Sequence, residues 1–234
     1  MQEGFYLVAI LSLLLIAVGP LGQVMLTTNL SGRLGSALVE YLPDTQLILL
    51  LGAMIVSLIL GMGLPTPVAY IIVALALVPF MQQIGIPPLQ AHFFVFYFAV
   101  FSTLTPPVAV SVLAAAKLGE ATFLSTAKDS MKIALTTFII PFAFVFSPEL
   151  MLFPNVTWGT MLAVFEVVFV QLAVSVASYG FLIRSLNGFE RGVYAFVALF
   201  GFLGFTYDAN FWYVAVALFA AISVYVFVSS KTQN

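Results

Sequence analysis

Two six-residue stretches interrupt long apolar runs with residue types suited to holding an ion: Gly61-Met62-Gly63-Leu64-Pro65-Thr66 and Ser102-Thr103-Leu104-Thr105-Pro106-Pro107. Glycine releases the backbone from helical dihedrals and proline has no N–H to donate, so each stretch should leave peptide groups without intrahelical partners. In the second stretch, adjacent prolines remove two donors and disfavour helical geometry at Thr105. The carbonyls upstream are freed, and three hydroxyls lie among them. Hard cations take such oxygen ligands, and Na⁺ would need no carboxylate. At residues 61–66, a hairpin tip presenting carbonyls and N–H groups would suit an ion or a carboxylate. Each stretch also has a plainer reading: small residues let membrane helices approach closely, and hydroxyls beside a proline kink back-bond to the preceding turn. Position bears on the choice, because lipid cannot satisfy freed peptide groups. Such backbone persists at membrane depth only inside protein or beside a watery cavity, and paired broken helices mark secondary-transporter sites.

Membrane depth follows from composition. The 234 residues are 63% hydrophobic and 7% charged, with a mean hydropathy of +1.17, whereas a soluble domain carries roughly 25% charged residues. Apolar runs of about 18 residues or more recur and alternating ten-residue segments do not, so helices rather than a barrel should cross the bilayer. The fold class is an all-α integral membrane protein. With a net charge of −2 there is no surface for nucleic acid. Zero cysteines exclude disulfides, thiolate metal sites and cysteine nucleophiles, and a single histidine leaves little scope for metal or Ser–His chemistry. No G-x-S-x-G elbow, H-E-x-x-H pair, intramembrane Asp pair or P-loop is present. Neither an enzyme nor an ATPase is expected, and no cofactor beyond a coupling ion. The start, Met1-Gln2-Glu3-Gly4, lacks the basic region and cleavage site of a signal peptide, so the first apolar run reads as a retained span.

The elements that must position the two stretches follow from run lengths. A first span over 5–28 leads into a polar connection, giving a region 1–44. The run from Thr45 to Gln83 would reach roughly 55 Å as a straight helix, nearly twice the hydrocarbon core, so it must fold back at Gly61–Thr66. Its arms, each of about 16 residues, are short for a full crossing, which fits a re-entrant helical hairpin over 45–83. Gly85-Ile86-Pro87-Pro88 closes the hairpin, and one discontinuous helix over 88–118 follows, broken near its middle. A polar loop from Lys117 to Lys132 completes a region 45–132. The remainder, 133–234, holds further apolar runs at about 133–153, 157–183, 191–206 and 211–229. With the hairpin returning to its own side, Lys117, Lys128, Lys132, Arg184, Arg191 and Lys231 share one face and Arg33 lies on the other. The cation-rich face, and the C-terminus with it, should be cytoplasmic.

Other polar residues invite weaker readings. His92, near a membrane boundary, suits interfacial packing, although its titration could gate. Glu166 lies inside an apolar run, where a carboxylate is a functional candidate, or else is protonated or paired to a neighbouring helix. Tyr70 and Tyr97 suit either a cavity wall or aromatic packing.

The two stretches with their flanks form a family pattern. Gly61-Met62-Gly63-Leu64-Pro65-Thr66 followed by Ala69-Tyr70, then Pro87-Pro88 with Ala91-His92-Phe93-Phe94-Val95-Phe96-Tyr97-Phe98, Thr105-Pro106-Pro107-Val108-Ala109, and Pro141-Phe142-Ala143-Phe144-Val145 through Pro148-Glu149-Leu150 resemble the fused membrane permease of tripartite ATP-independent periplasmic (TRAP) transporters. The likeness covers about residues 5–153. It implies a permease component of a Na⁺-coupled importer of organic acids, multi-pass in a bacterial or archaeal inner membrane, supplied by a periplasmic solute-binding protein and working by an elevator motion. Carried over residue by residue, it implies that Gly61, Gly63, Pro65 and Thr66 form the tip of the second hairpin, and Ser102, Thr103, Thr105 and Pro106 the break of the following helix. Carbonyls and hydroxyls near Gly61, Gly63, Thr103 and Thr105 would then hold one Na⁺ and border the substrate. The family permease has two inverted repeats, and this sequence carries one hairpin and one broken helix. It is expected to be the C-terminal half of the functional permease, partnered by the N-terminal half or a small membrane subunit. The alternatives are a non-transporting membrane scaffold or assembly subunit, and a channel.

Overall fold

Gly and Pro punctuation in an apolar sequence gives a helical protein. The structure is a computed structural model describing residues 23–25, 27–43, 45–151 and 156–231, with isolated positions between 9 and 20. More than half of the span expected over 5–28 lies outside the described residues. The chain forms two compact units, residues 1–128 and 129–234. Among the described residues the regular structure is helical, apart from one isolated bridge between Phe181 and Ser185.

In the first unit, α1 (Leu30–Tyr41), α2 (Gln46–Gly61), α3 (Thr66–Gln83), α4 (Pro88–Phe101) and α5 (Val110–Leu118) follow one another. The polar connection expected before Thr45 thus contains a helix. Its apolar side explains why: Gly35 lies against the ring of Phe80 in α3, while Leu38 and Leu42 lie over Gly52 of α2. The two hairpin arms are α2, of 16 residues, and α3, of 18 residues, joined across residues 62–65 and packed on one another. Proline opens both α3 and α4, where a missing N–H costs nothing because first-turn donors have no intrahelical partner. Both α2 and α3 pack on α4. The core there is Leu49, Leu50, Val73, Leu77, Phe80, Met81, Phe94 and Phe98, with the Phe94 and Phe98 rings edge to face at 4.9 Å.

The loop expected over Lys117–Lys132 is a correction. The chain is irregular only from Gly119 to Thr122, and α6 (Phe123–Thr137) then begins and carries it into the second unit. Phe123 and Ala127 pack on Ala109 and Val112, so an apolar side is buried although most of the segment is polar.

The second unit contains α7 (Ile139–Phe146), a 3₁₀ turn (Pro148–Met151), α8 (Trp158–Tyr179), α9 (Gly188–Thr206) and α10 (Ala209–Lys231). Gly180, at φ 68° in the left-handed region, ends α8 four residues before the end of its apolar run. Asn187 and Glu190 cap α9 reciprocally, each side chain taking the other's backbone N–H at 2.9 Å. Glu190 is 1% exposed and paired with Arg184, which also donates to Ser229 Oγ of α10 at 2.8 Å. Tyr194 is fully buried and bonded to Ser223 Oγ at 2.9 Å, beside Val176, Ile222 and Val226. Polar ties and apolar packing therefore hold α8, α9 and α10 together.

Apolar side chains also cover the outside: Ile55, Ile59, Leu89 and Phe96 in the first unit, and Met161, Phe165, Val168 and Val224 in the second. Among the described residues, five helical stretches are long and apolar enough to cross a membrane: Thr66–Gln83, Phe123–Phe146, Trp158–Tyr179, Gly188–Thr206 and Asn210–Ser230. Exposed apolar faces on helices of this length suit a multi-pass membrane protein, whose solvent is lipid.

Asn187→Ala removes the α9 cap and strips Glu190 of one neighbour. Its expected cost is about 1 kcal/mol of stability, read as a lowered unfolding midpoint in detergent.

Candidate functional site

Four prolines determine which carbonyls lose their helical donors. In a continuous helix the N–H of residue i+4 bonds the carbonyl of residue i. Pro65 and Pro67 therefore deprive Gly61 and Gly63, and Pro106 and Pro107 deprive Ser102 and Thr103. Three of these carbonyls find substitutes. Gly61 O accepts from Leu64 N at 3.4 Å, Thr103 O from Ser111 N at 3.1 Å, and Ser102 O from the Thr105 hydroxyl at 3.2 Å. Among the described residues no backbone N–H reaches the carbonyls of Met62, Gly63 or Leu64, or those from Leu104 to Val108.

The fold brings the two stretches together. Gly61, at the end of α2, is buried against Ser102, just past the end of α4. A Cβ at position 61 would meet Ser102 Oγ and come within 2.9 Å of Ser102 Cβ. Gly63, at the tip, has φ 76°, and a Cβ there would lie 3.3 Å from Val108 Cγ1. The first contact needs the smallness of glycine and the second position its left-handed backbone. Ser102 and Thr105 are buried, Thr103 is half-buried, and Gly63, Pro106, Pro107 and Val108 are exposed. Pro65 and Thr66 form the boundary of α3. The eight residues singled out in the sequence thus line the hairpin turn and the helix break, and these meet through Gly61 and Ser102 and through Gly63 and Val108. The break runs over residues 102–109, with a cis peptide between Pro106 and Pro107.

Helix polarity adds a field. The C-terminal ends of α2 and α4 and the N-terminal ends of α3 and α5 all belong to these two stretches, and the last carbonyls of α4 accept from Ser102, Thr103, Leu104 and Thr105. Neither N-terminal end carries a side-chain cap. Carbonyl ends attract a cation and N–H ends a carboxylate. Among the described residues no three His, Cys, Asp or Glu side chains lie together. A cation here would depend on neutral oxygens, of which the freed carbonyls and the hydroxyls of Ser102, Thr103 and Thr105 are the local supply. These hydroxyls donate to Ala99 O at 2.6 Å, Val100 O at 2.8 Å and Ser102 O at 3.2 Å. Their protons are committed as a proline kink requires, which leaves acceptor lone pairs on each oxygen, one of those on Thr103 being taken by the Ser111 hydroxyl.

Sequence reasoning missed Ser111. It donates to Thr103 Oγ1 at 3.2 Å while its N–H bonds Thr103 O, so one residue closes the break from the α5 side. The only signal was a hydroxyl eight positions beyond Thr103 in the next helical turn. Also missed was Ala109, which holds a left-handed φ of 40° while fully buried as the cap of α5. Tyr70 OH lies 2.9 Å from His92 Nδ1, joining α3 to α4 at a groove of about 340 Å³ lined also by Leu89, Phe93 and Phe96. Glu166 is half-buried midway along α8 in the second unit, with no ion-pair partner among the described residues.

The model of the family described as the tripartite ATP-independent periplasmic transporter, DctM component, matches residues 1–158. No curated protein and no solved structure matches the chain.

Gly61→Ala forces a methyl into Ser102 and should cost about 1–3 kcal/mol, an overpacking penalty. Adding Ser102→Gly to the same chain should recover part of that loss. Thermal unfolding of both variants and of Ser102→Gly alone measures the coupling, and simple additivity would contradict the juxtaposition.

Proposed function

The chain belongs to the family of DctM components of tripartite ATP-independent periplasmic transporters, and from this premise we propose that it supplies one Na⁺ and organic-acid site of a secondary permease. The family is one of transporter components rather than enzymes. The observation that carries the proposal is the meeting of a glycine-proline hairpin turn with a hydroxyl-rich helix break, at Gly61 against Ser102. Freed carbonyls near Gly61 and Gly63, with the carbonyls and hydroxyls of Thr103 and Thr105, hold Na⁺. Ser102, Pro65, Thr66 and Pro106 shape the same pocket, and the N-terminal ends of α3 and α5 orient a substrate carboxylate. No cationic side chain lies in either stretch, so N–H groups and the bound Na⁺ supply the positive potential for the anion. Binding of the ion then favours binding of the acid, which is the coupling a symporter needs.

In this reading α2 and α3 form a re-entrant hairpin: α2, at 16 residues, spans only about 24 Å, short of the roughly 30 Å hydrocarbon core, and α3, though of crossing length, is joined to it by the short turn at 62–65 and packed on it. The chain resides in the inner membrane with a cytoplasmic C-terminus and receives its substrate from a periplasmic solute-binding protein. One hairpin and one broken helix make a single repeat of an elevator-type carrier. A second such pair, from an N-terminal half or a small membrane subunit, completes the transport unit.

Uptake of a radiolabelled organic acid by the complete assembly in proteoliposomes, measured against Na⁺ concentration, tests the proposal. Loss of one hydroxyl contact to a charge is worth about 1.5–3 kcal/mol, so Thr105→Val should raise the half-saturating Na⁺ concentration at least about tenfold. Gly63→Leu, which strains a left-handed backbone beside Val108, should depress transport at every Na⁺ concentration. Wild-type Na⁺ dependence in both variants would sink the proposal.

A further inference from the structure

Among the described residues, Thr103 carries the one hydroxyl of the break that is held from both sides. The hydroxyls of Ser102 and Thr105 donate within their own turn, to Ala99 O and Ser102 O, and accept from no residue beyond it. Thr103 Oγ1 donates to Val100 O at 2.8 Å and accepts from Ser111 Oγ at 3.2 Å, while the Ser111 N–H takes Thr103 O at 3.1 Å. One residue of α5 thus grips, from eight positions away, both oxygens that Thr103 has to offer. The backbone bond alone would close the break. The hydroxyl bond adds nothing to that closure, and Ser111 is exposed, where water would serve its hydroxyl as well. What this second bond fixes is the direction of Thr103 Oγ1: with its proton on Val100 O and one lone pair on Ser111, a single lone pair is left, and Thr103 O likewise keeps one. Ser111 has a firm base for this grip, because Ala109 and Val112 on either side of it are 0% and 1% exposed and pack with Leu104, Phe123 and Ala127.

We infer that Ser111 is a positioning residue of the Na⁺ site and gives that site its preference for Na⁺ over K⁺, an inference that rests on the Na⁺ reading above. The carbonyl and the hydroxyl of Thr103 are two donors on one residue, and an ion that uses both meets them at a spacing set by Ser111. Na⁺ and K⁺ carry the same charge and differ in radius. A fixed pair of oxygens therefore tells the two ions apart, whereas a mobile pair adjusts to either. Ser111 acts through Thr103: it holds the oxygens that meet the ion, as an outer partner holds a metal ligand. Partners of that kind are worth about ten- to a hundredfold in affinity at metal sites. No charged side chain takes part, in keeping with two stretches that contain none.

The test is the affinity of the whole chain in nanodiscs for Na⁺ and for K⁺, each read as cation-dependent thermal stabilisation at constant ionic strength in choline chloride. Ser111→Ala keeps the backbone N–H and loses the hydroxyl. It should weaken Na⁺ binding about tenfold and leave K⁺ binding unchanged, so that the preference for Na⁺ falls about tenfold. Ser111→Thr, which retains a hydroxyl, should restore the wild-type preference. In a Thr103→Val chain, where the acceptor is gone, Ser111→Ala should change Na⁺ affinity no further. A wild-type preference in Ser111→Ala, even with a lowered unfolding midpoint in the absence of Na⁺ and K⁺, makes the hydroxyl purely structural and overturns the inference. Ser111→Thr behaving as Ser111→Ala, or full additivity with Thr103→Val, overturns it as well, and each of these results leaves the Na⁺ site standing. Absence of Na⁺ stabilisation in the wild type overturns both. If Ser111→Ala does not fold, Ser111→Cys, of nearly the same size and with only a weak donor, takes its place with the same expected loss.

Discussion

Backbone hydrogen bonding inside an apolar sequence is the constraint on which the first unit depends. Each proline at positions 65, 67, 106 and 107 removes a donor that a helix would have used, and lipid offers no replacement. The chain responds locally, through Leu64, Thr105 and Ser111, and leaves a remainder of carbonyls around Gly63 and between Leu104 and Val108. That remainder has to be met by protein, water or an ion. Placing both interruptions against each other gathers the unmet groups into one place instead of exposing them on two.

Gathering them requires close approach, and small residues supply it. Gly61 admits Ser102, Gly63 admits Val108 and takes a left-handed turn, and Gly52 and Gly35 let α1 settle on α2 and α3. Once the ends of four helices are assembled, their polarity sets carbonyl ends, which attract cations, beside N–H ends, which attract anions, without any charged side chain. The second unit is organised differently. Arg184, Glu190, Asn187 and Ser229 tie its helix ends with charge, and Tyr194 ties its interior to Ser223. It lies mostly beyond the 158 residues that the family pattern covers.

Much of this was legible in the residues. Two glycines and a proline between Gly61 and Thr66 placed the hairpin turn within a residue or two of 62–65, and Pro106-Pro107 placed the helix break, because both rest on covalent facts about the backbone. What escaped depended on tertiary packing. The segment 123–132 reads as loop until Phe123 and Ala127 find Ala109 and Val112. The segment 30–41 reads as connection until Leu38 and Leu42 find Gly52. Ser111 and the Tyr70–His92 bond join positions eight and 22 residues apart, and no local periodicity reports such pairs.

The claim at the centre is that Na⁺ pins the hairpin turn to the helix break. The natural sequence has no cysteine, so Gly63→Cys with Val108→Cys gives one reporter pair on a silent background. The direct measurement is the rate of oxidative cross-linking between these positions in membranes, in Na⁺ and in K⁺ at equal ionic strength. A Na⁺-bridged site predicts efficient intramolecular cross-linking that is faster in Na⁺. No cross-link, or equal rates in the two salts, would contradict it.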